Sequence, residues 1–213
     1  MVCGAAATLL LWPFDGAVMG MVTAGGTRTS LPIGGDLMRE LEAVQQFGQG
    51  GISLIVAAAV WLMDRPRRRA LLGWLAAAVI AAGLAKGLKL LIGRPRPVLD
   101  EPGLLLGPFG VYPLGEGRGL AHAWEFWRDG VERLWSMPSS HTVYAVVAAG
   151  MLSRWYPRLA PLAWGLAGVV AACRVAIGAH YPADVAAGWF VGLLALALAR
   201  RTGLCESTPG RGE

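Results

Sequence analysis

Lys89-Leu-Leu-Ile-Gly-Arg-Pro-Arg96-Pro97 sets two cations seven residues apart, two turns of a helix, although Pro95 predicts that the helix stops before Arg96. One cation from the helix end and one from the following loop can then converge on a single anion. A second cluster, Ser136-Met-Pro138-Ser139-Ser140-His141-Thr142, reads as a helix start. Pro138 suits the first helical position, and the residues after it present backbone N–H groups without intrahelical partners, which attract anions. Ser139 and Ser140 add hydroxyl donors, and His141 adds a group that titrates near neutrality. The third cluster, Cys173-Arg174-Val-Ala-Ile-Gly-Ala-His180-Tyr-Pro-Ala-Asp184, leaves His180 just before a helix that Pro182 can open, with Asp184 in its first turn. A carboxylate there can accept a hydrogen bond from one imidazole nitrogen and leave the other as a free nucleophile.

Each cluster also has a plainer reading. Long cations at span ends can snorkel to headgroups, the reading favoured for Lys86. The serines and His141 can be an ordinary capped helix start, and His180 with Asp184 a structural pair that closes a loop. What favours chemistry is the combination: two histidines, three cations and a helix start describe a pocket for a doubly charged tetrahedral anion. The carboxylate cluster that Mg or Mn would need is missing, so no metal and no cofactor are expected. Cys3, Cys173 and Cys205 form no CxxC pair, which argues against a zinc site or a disulfide framework.

The elements that must carry these clusters are apolar. Of 213 residues, 55% are hydrophobic and only 15% charged, against about 25% charged in soluble domains. That excludes disorder, fibrous repeats and an ordinary cytosolic enzyme, and predicts an all-α polytopic membrane bundle in a single domain, 1 to 213. Six apolar runs are candidate spans: 2 to 14, 48 to 63, 70 to 92, 138 to 156, 159 to 178 and 183 to 199. The first is the weakest, because a full crossing would need Asp15 inside it or an earlier start. Residues 1 to 24 could also be read as a signal peptide, but no Lys or Arg precedes Arg28.

Arg65, Arg67, Arg68 and Arg69, then Arg154 and Arg158, then Arg200 and Arg201 lie between or after runs so that all three groups fall on one side, predicted to be cytoplasmic. The other side receives the long loop, 93 to 137, and all three clusters; the tail, 200 to 213, stays with the arginines. Within the loop, residues 98 to 122 are rich in Gly, Pro and Leu and predict a mobile cover. Trp124, Trp127, Val131, Leu134 and Trp135 recur at helical spacing and predict an amphipathic helix at membrane level, lying in the interface or packed on the bundle. The net charge of +5 is scattered, with no basic tract interleaved with aromatics, so no nucleic-acid partner is expected.

In order and spacing the three clusters resemble the signature of the type 2 phosphatidic acid phosphatase superfamily, the lipid phosphate phosphatases, which reads K-x6-RP, PSGH and SR-x5-H-x3-D. Lys89, Arg96 and Pro97, then Pro138, Ser139 and His141, then Arg174, His180 and Asp184 match it. Ser140 stands where the family usually has Gly, and Cys173 where it usually has Ser, replacing a hydroxyl by a weaker thiol donor. The resemblance implies that His180, held by Asp184, attacks phosphorus to form a phosphohistidine, while His141 protonates the departing lipid oxygen. Lys89, Arg96, Arg174, Ser139 and the N–H groups near Ser140 would hold the phosphoryl oxygens.

The expected partners are therefore the bilayer and a phosphorylated lipid: phosphatidic acid, phosphatidylglycerol phosphate, undecaprenyl diphosphate or a lipid A phosphate. Transfer of the phosphate to another lipid, or transport of a lipid or anion, are the alternatives. The Ala, Gly and Arg bias suggests a bacterial chromosome of high GC content, which would place the protein in the cytoplasmic (inner) membrane with the site facing the periplasm or exterior. The sequence leaves the oligomeric state open.

Overall fold

The structure is a computed structural model that describes residues 2 to 23, 35 to 115 and 117 to 204. Cys205 and the rest of the predicted tail lie outside the described residues, as does Arg28. The helices are α1 (Val2–Leu11), α2 (Asp15–Thr23), α3 (Gly35–Val44), α4 (Gly50–Met63), α5 (Leu71–Ile92), α6 (Ser140–Trp155), α7 (Ala160–Ala176) and α8 (Pro182–Arg201). The all-α expectation holds, with one small antiparallel hairpin, β1 (Val111–Pro113) against β2 (Leu120–His122), in register Tyr112 to Ala121.

Among the described residues four helical stretches are long and apolar enough to cross a membrane: Ala6–Thr23, Arg65–Leu99, Pro157–Ala176 and Pro182–Arg201. A fifth forms if Gly35–Gly48 and Gly50–Met63, bent by 63°, count as one broken span. The remaining expected run, 138 to 156, falls on α6, which at 16 residues is shorter than a usual span and is the most enclosed helix, packed by α5, α7 and α8. The first candidate span runs through Asp15. A 3-10 turn, Trp12–Phe14, joins α1 to α2, so the helical path runs through the aspartate, and its carboxylate is fully buried against Arg94.

Small residues set the packing. On α5 Ala77, Ala81 and Ala85 recur every fourth position and are buried, letting the neighbouring helices approach closely. On α8 Gly188 and Gly192 do the same against α6: a Cβ at 192 would stand 2.8 Å from Val146 Cβ and 2.9 Å from the Val143 carbonyl. A Cβ at 188 would stand 2.7 Å from the Ser139 carbonyl. Helix α5 ends at Gly93, whose φ of 59° turns the chain out of the helix while its N–H caps the Lys89 carbonyl at 3.0 Å.

The arginine groups gather at one end. Tyr156 Oη donates to Asp64 at 2.9 Å, the Arg67 guanidinium sits over the Tyr156 ring, and Arg154 and Arg200 line one cavity between α6, α7 and α8. The three chemical clusters lie at the opposite end.

In the long loop, residues 98 to 122 carry the hairpin, and Leu114 and Ala121 pack with Ala123, Val131 and Leu134 in a small buried cluster. One expectation there is overturned. Residues 124 to 135 form turns and one short 3-10 helix, Val131–Leu134, in place of an amphipathic helix. Gly130, at φ 88°, breaks the helical path, and the polar side chains bond to loop backbone. Glu125 accepts from the His122 N–H at 2.9 Å, Arg128 donates to the Leu120 carbonyl at 2.5 Å, and Trp124 Nε1 donates to the Pro108 carbonyl at 3.0 Å. Phe126 and Trp127 remain exposed.

Candidate active site

Helix α8 begins at Pro182, as its fixed φ predicts, and Asp184 in the first turn accepts the Tyr181 N–H at 2.9 Å through Oδ2. The turn from α7 is closed by Ala179 and His180 N–H groups, both donating to the Arg174 carbonyl at 3.1 Å. His180 thereby lies one turn before Asp184, 2% exposed, with Nδ1 3.6 Å from Asp184 Oδ2. That is ion-pair range, just beyond a hydrogen bond, and Nδ1 has no other partner. Burial pushes the His180 imidazole well below its ordinary range, against the pull of Asp184, and Arg96 and Lys89 push the same way as burial. The ring is therefore neutral at physiological pH, as a nucleophile must be.

Helix α6 starts two residues later than expected. Ser139 is its N-cap and Ser140 its first residue, while Pro138 precedes the cap behind a cis peptide bond from Met137. The helix start still faces the site, because the Ser139 N–H donates to the Asp184 carbonyl at 3.0 Å and stitches the openings of α6 and α8 together. Ser139 Oγ accepts from Thr142 Oγ1 at 3.1 Å, which leaves its own proton to donate. Ser140 and His141 are half-buried at the same opening.

Lys89, on the last turn of α5, is buried and donates through Nζ to the Trp135 carbonyl at 2.6 Å. Arg96, past the end of that helix, donates through Nε to the Glu132 carbonyl at 3.1 Å. Arg174, on the last turn of α7, is buried. Lys89, Arg96, Arg174, His141 and His180 thus sit where α5 and α7 end and α6 and α8 begin, at the same end of the bundle. Lys86 places its ammonium 3.3 Å above the Trp135 ring, a cation–π contact. Cys173 is a buried free thiol beside Arg174 in sequence. Among the described residues no three His, Cys, Asp or Glu side chains group closely enough to hold a metal ion.

Four residues join the site that the spacing did not reveal. Gln45, in the 3-10 turn between α3 and α4, accepts from Arg174. Ser136 donates its hydroxyl to Asp184 Oδ2. Arg94 is completely buried and bridges Asp184 and Asp15. Arg94 stands in the same Gly-Arg-Pro-Arg run as Arg96, and Asp15 is an acid within an apolar run, a functional signal in itself; both were legible as oddities, though not as a pair.

A bundle of apolar helices that carries two histidines and several cations at one end defines a polytopic membrane protein. The family model for the PAP2 superfamily matches residues 70–203, and the chain belongs to that superfamily. Among solved structures it resembles a transmembrane PAP2-type phosphatidylglycerolphosphate phosphatase from Bacillus subtilis, at TM-score 0.64 and 22% identity over 99% of this chain and 98% of that one. It also resembles LpxE of Aquifex aeolicus, at TM-score 0.59 and 13% identity over 88% of this chain and 95% of that one. No curated protein matches the chain.

Proposed function

We propose that this protein is an integral membrane lipid phosphatase that hydrolyses a lipid phosphate monoester or diphosphate through a phosphohistidine. The observation that carries the reading is the buried His180 with Nδ1 3.6 Å from Asp184 Oδ2, at the bundle end that also carries Lys89, Arg96 and Arg174. His180 Nε2 forms a bond to phosphorus as the bond from phosphorus to the lipid oxygen breaks. Asp184 stabilises the positive charge on the ring through Nδ1–H, and His141 gives its proton to the departing lipid oxygen. Water then attacks the phosphohistidine, giving a proton back to His141, and inorganic phosphate leaves.

Lys89, Arg96, Arg174, the Ser139 hydroxyl and the N–H groups at Ser140 and His141 hold the equatorial oxygens as charge redistributes. The positive-inside bias supports an orientation with the arginine end in the cytoplasm and the site at the periplasmic or outer face of a bacterial inner membrane. The names of the two structural neighbours support a bacterial lipid headgroup as substrate.

The test is release of inorganic phosphate from phosphatidic acid, phosphatidylglycerol phosphate, undecaprenyl diphosphate and a lipid A phosphate, presented at equal surface concentration to purified protein. Release by the wild type from at least one lipid, unaffected by chelator and abolished in a folded His180→Ala variant, is expected. Release that persists in His180→Ala overturns the nucleophile, and chelator sensitivity overturns the metal-free chemistry. Labelled phosphate recovered on an acceptor lipid identifies a phosphotransferase, and lipid flux without hydrolysis a transporter.

A further inference from the structure

Arg94 is the largest fully buried side chain among the described residues. Its Nη1 donates to Asp184 Oδ1 at 2.6 Å, and its Nη2 donates to Asp15 Oδ2 at 2.6 Å and to the Pro102 carbonyl at 2.5 Å. The guanidinium lies between two rings, 3.9 Å from the centroid of Trp12 and 4.3 Å from that of Tyr181. All three charged side chains have no solvent exposure. Asp15 Oδ1 also accepts the Ala183 N–H at 2.9 Å, so the first span grips the residue next to Asp184.

Taking charges out of water is costly unless they are paired and fully hydrogen-bonded, so a three-member cluster here requires a reason. The division of oxygens on Asp184 supplies one. Oδ1 is held by Arg94, while Oδ2 takes the Ser136 hydroxyl and the Tyr181 N–H and faces His180 Nδ1. Arg94 therefore fixes the plane of the carboxylate. Alone, it would also cancel the negative charge that His180 needs when it becomes cationic. Asp15 neutralises Arg94, and the cluster as a whole keeps one negative charge beside the ring.

We propose that Arg94 and Asp15 are positioning residues that orient Asp184 and preserve its charge for His180. This rests on the phosphatase reading for its functional consequence, though not for its geometry.

The test is a double-mutant cycle on phosphate release from phosphatidic acid in mixed micelles, with kcat and KM separated, plus nitrogen NMR of labelled histidine. Only three histidines are present, so the His180 signal can be assigned by substitution. Asp15→Asn should lower kcat about tenfold at nearly constant KM, the size of one lost charge contact. Arg94→Gln should lose more than a hundredfold, because two buried carboxylates are left uncompensated. Adding Asp15→Asn to Arg94→Gln should then restore kcat about tenfold, since a single carboxylate charge remains. Arg94→Lys, which keeps charge but not the fork, should fall between wild type and Arg94→Gln.

In the NMR arm, wild-type His180 should carry its proton on Nδ1, and Arg94→Gln should change that signal. A double variant no better than Arg94→Gln, or a His180 signal unchanged in it, overturns the proposal. A wild type that releases no phosphate from any lipid counts against the phosphatase reading alone, and the NMR arm still decides the positioning role.

Discussion

Gln45 and Arg174 are 129 residues apart in sequence, yet Gln45 Oε1 accepts from Arg174 Nη1 at 2.5 Å with both side chains buried. The bend between α3 and α4 exists where this contact is made. A Cβ at Gly48 would stand 2.3 Å from the His141 carbonyl, so the same turn presses on the opening of α6. The turn thus braces two proposed phosphate-handling elements together.

Replacing Gln45 by Ala should lower kcat/KM about tenfold, mostly through KM, because hydrogen bonds to charged groups are worth about 1.5–3 kcal/mol and a loosened Arg174 keeps its charge but must be re-ordered when phosphate binds. Initial-rate kinetics on the best lipid of the panel checks this, and an equal fall in kcat at constant KM would contradict it.

Removal of one cation from the phosphoryl site, as in Arg174→Gln or Lys89→Gln, should cost about a hundredfold in kcat, or about 3 kcal/mol of transition-state stabilisation. Single-turnover measurements of lipid cleavage check the chemical step. A loss confined to binding would place these side chains outside the transition-state contacts.

Acid should destabilise the fold through His180. Its folded form resists protonation because it is buried, whereas the unfolded chain binds a proton near pH 6.5. The unfolded state therefore takes up more protons as pH falls below that value, and stability declines with it. Thermal unfolding in detergent from pH 7.5 to pH 5 should show a steeper fall in Tm for wild type than for His180→Asn. Parallel curves would refute the burial argument.

Gly192→Val should lower Tm and activity together. Its side chain would meet Val146 and the Val143 carbonyl, and overpacking of a tight interface costs about 1–3 kcal/mol. Since α6 carries His141 and α8 carries Asp184, prying the two helices apart separates the acid from the nucleophile's partner. Unaltered kcat at the lowered Tm would show that the seam does not set the site.

The spacing of Lys89 and Arg96, of Ser139 and His141, and of Arg174, His180 and Asp184 made the site readable, because each group is local and its partners lie within two helical turns. The apolar runs predicted the helices, since hydropathy over such lengths reflects the solvent each segment must enter. Local pattern failed at residues 124 to 135. There the tryptophan periodicity was helical, but Gly130 and side-chain bonds to the loop backbone outweighed it.

What the amino-acid order determined by itself was the class of fold and the family to which those motifs belong. Tertiary structure alone decided that Asp15 is buried against Arg94, that Arg94 joins it to Asp184, and that Gln45 reaches Arg174. The reason is physical. A buried charge must find its counter-charge wherever the packing of distant helices brings one, and no local periodicity records a meeting between residues 79 or 129 positions apart.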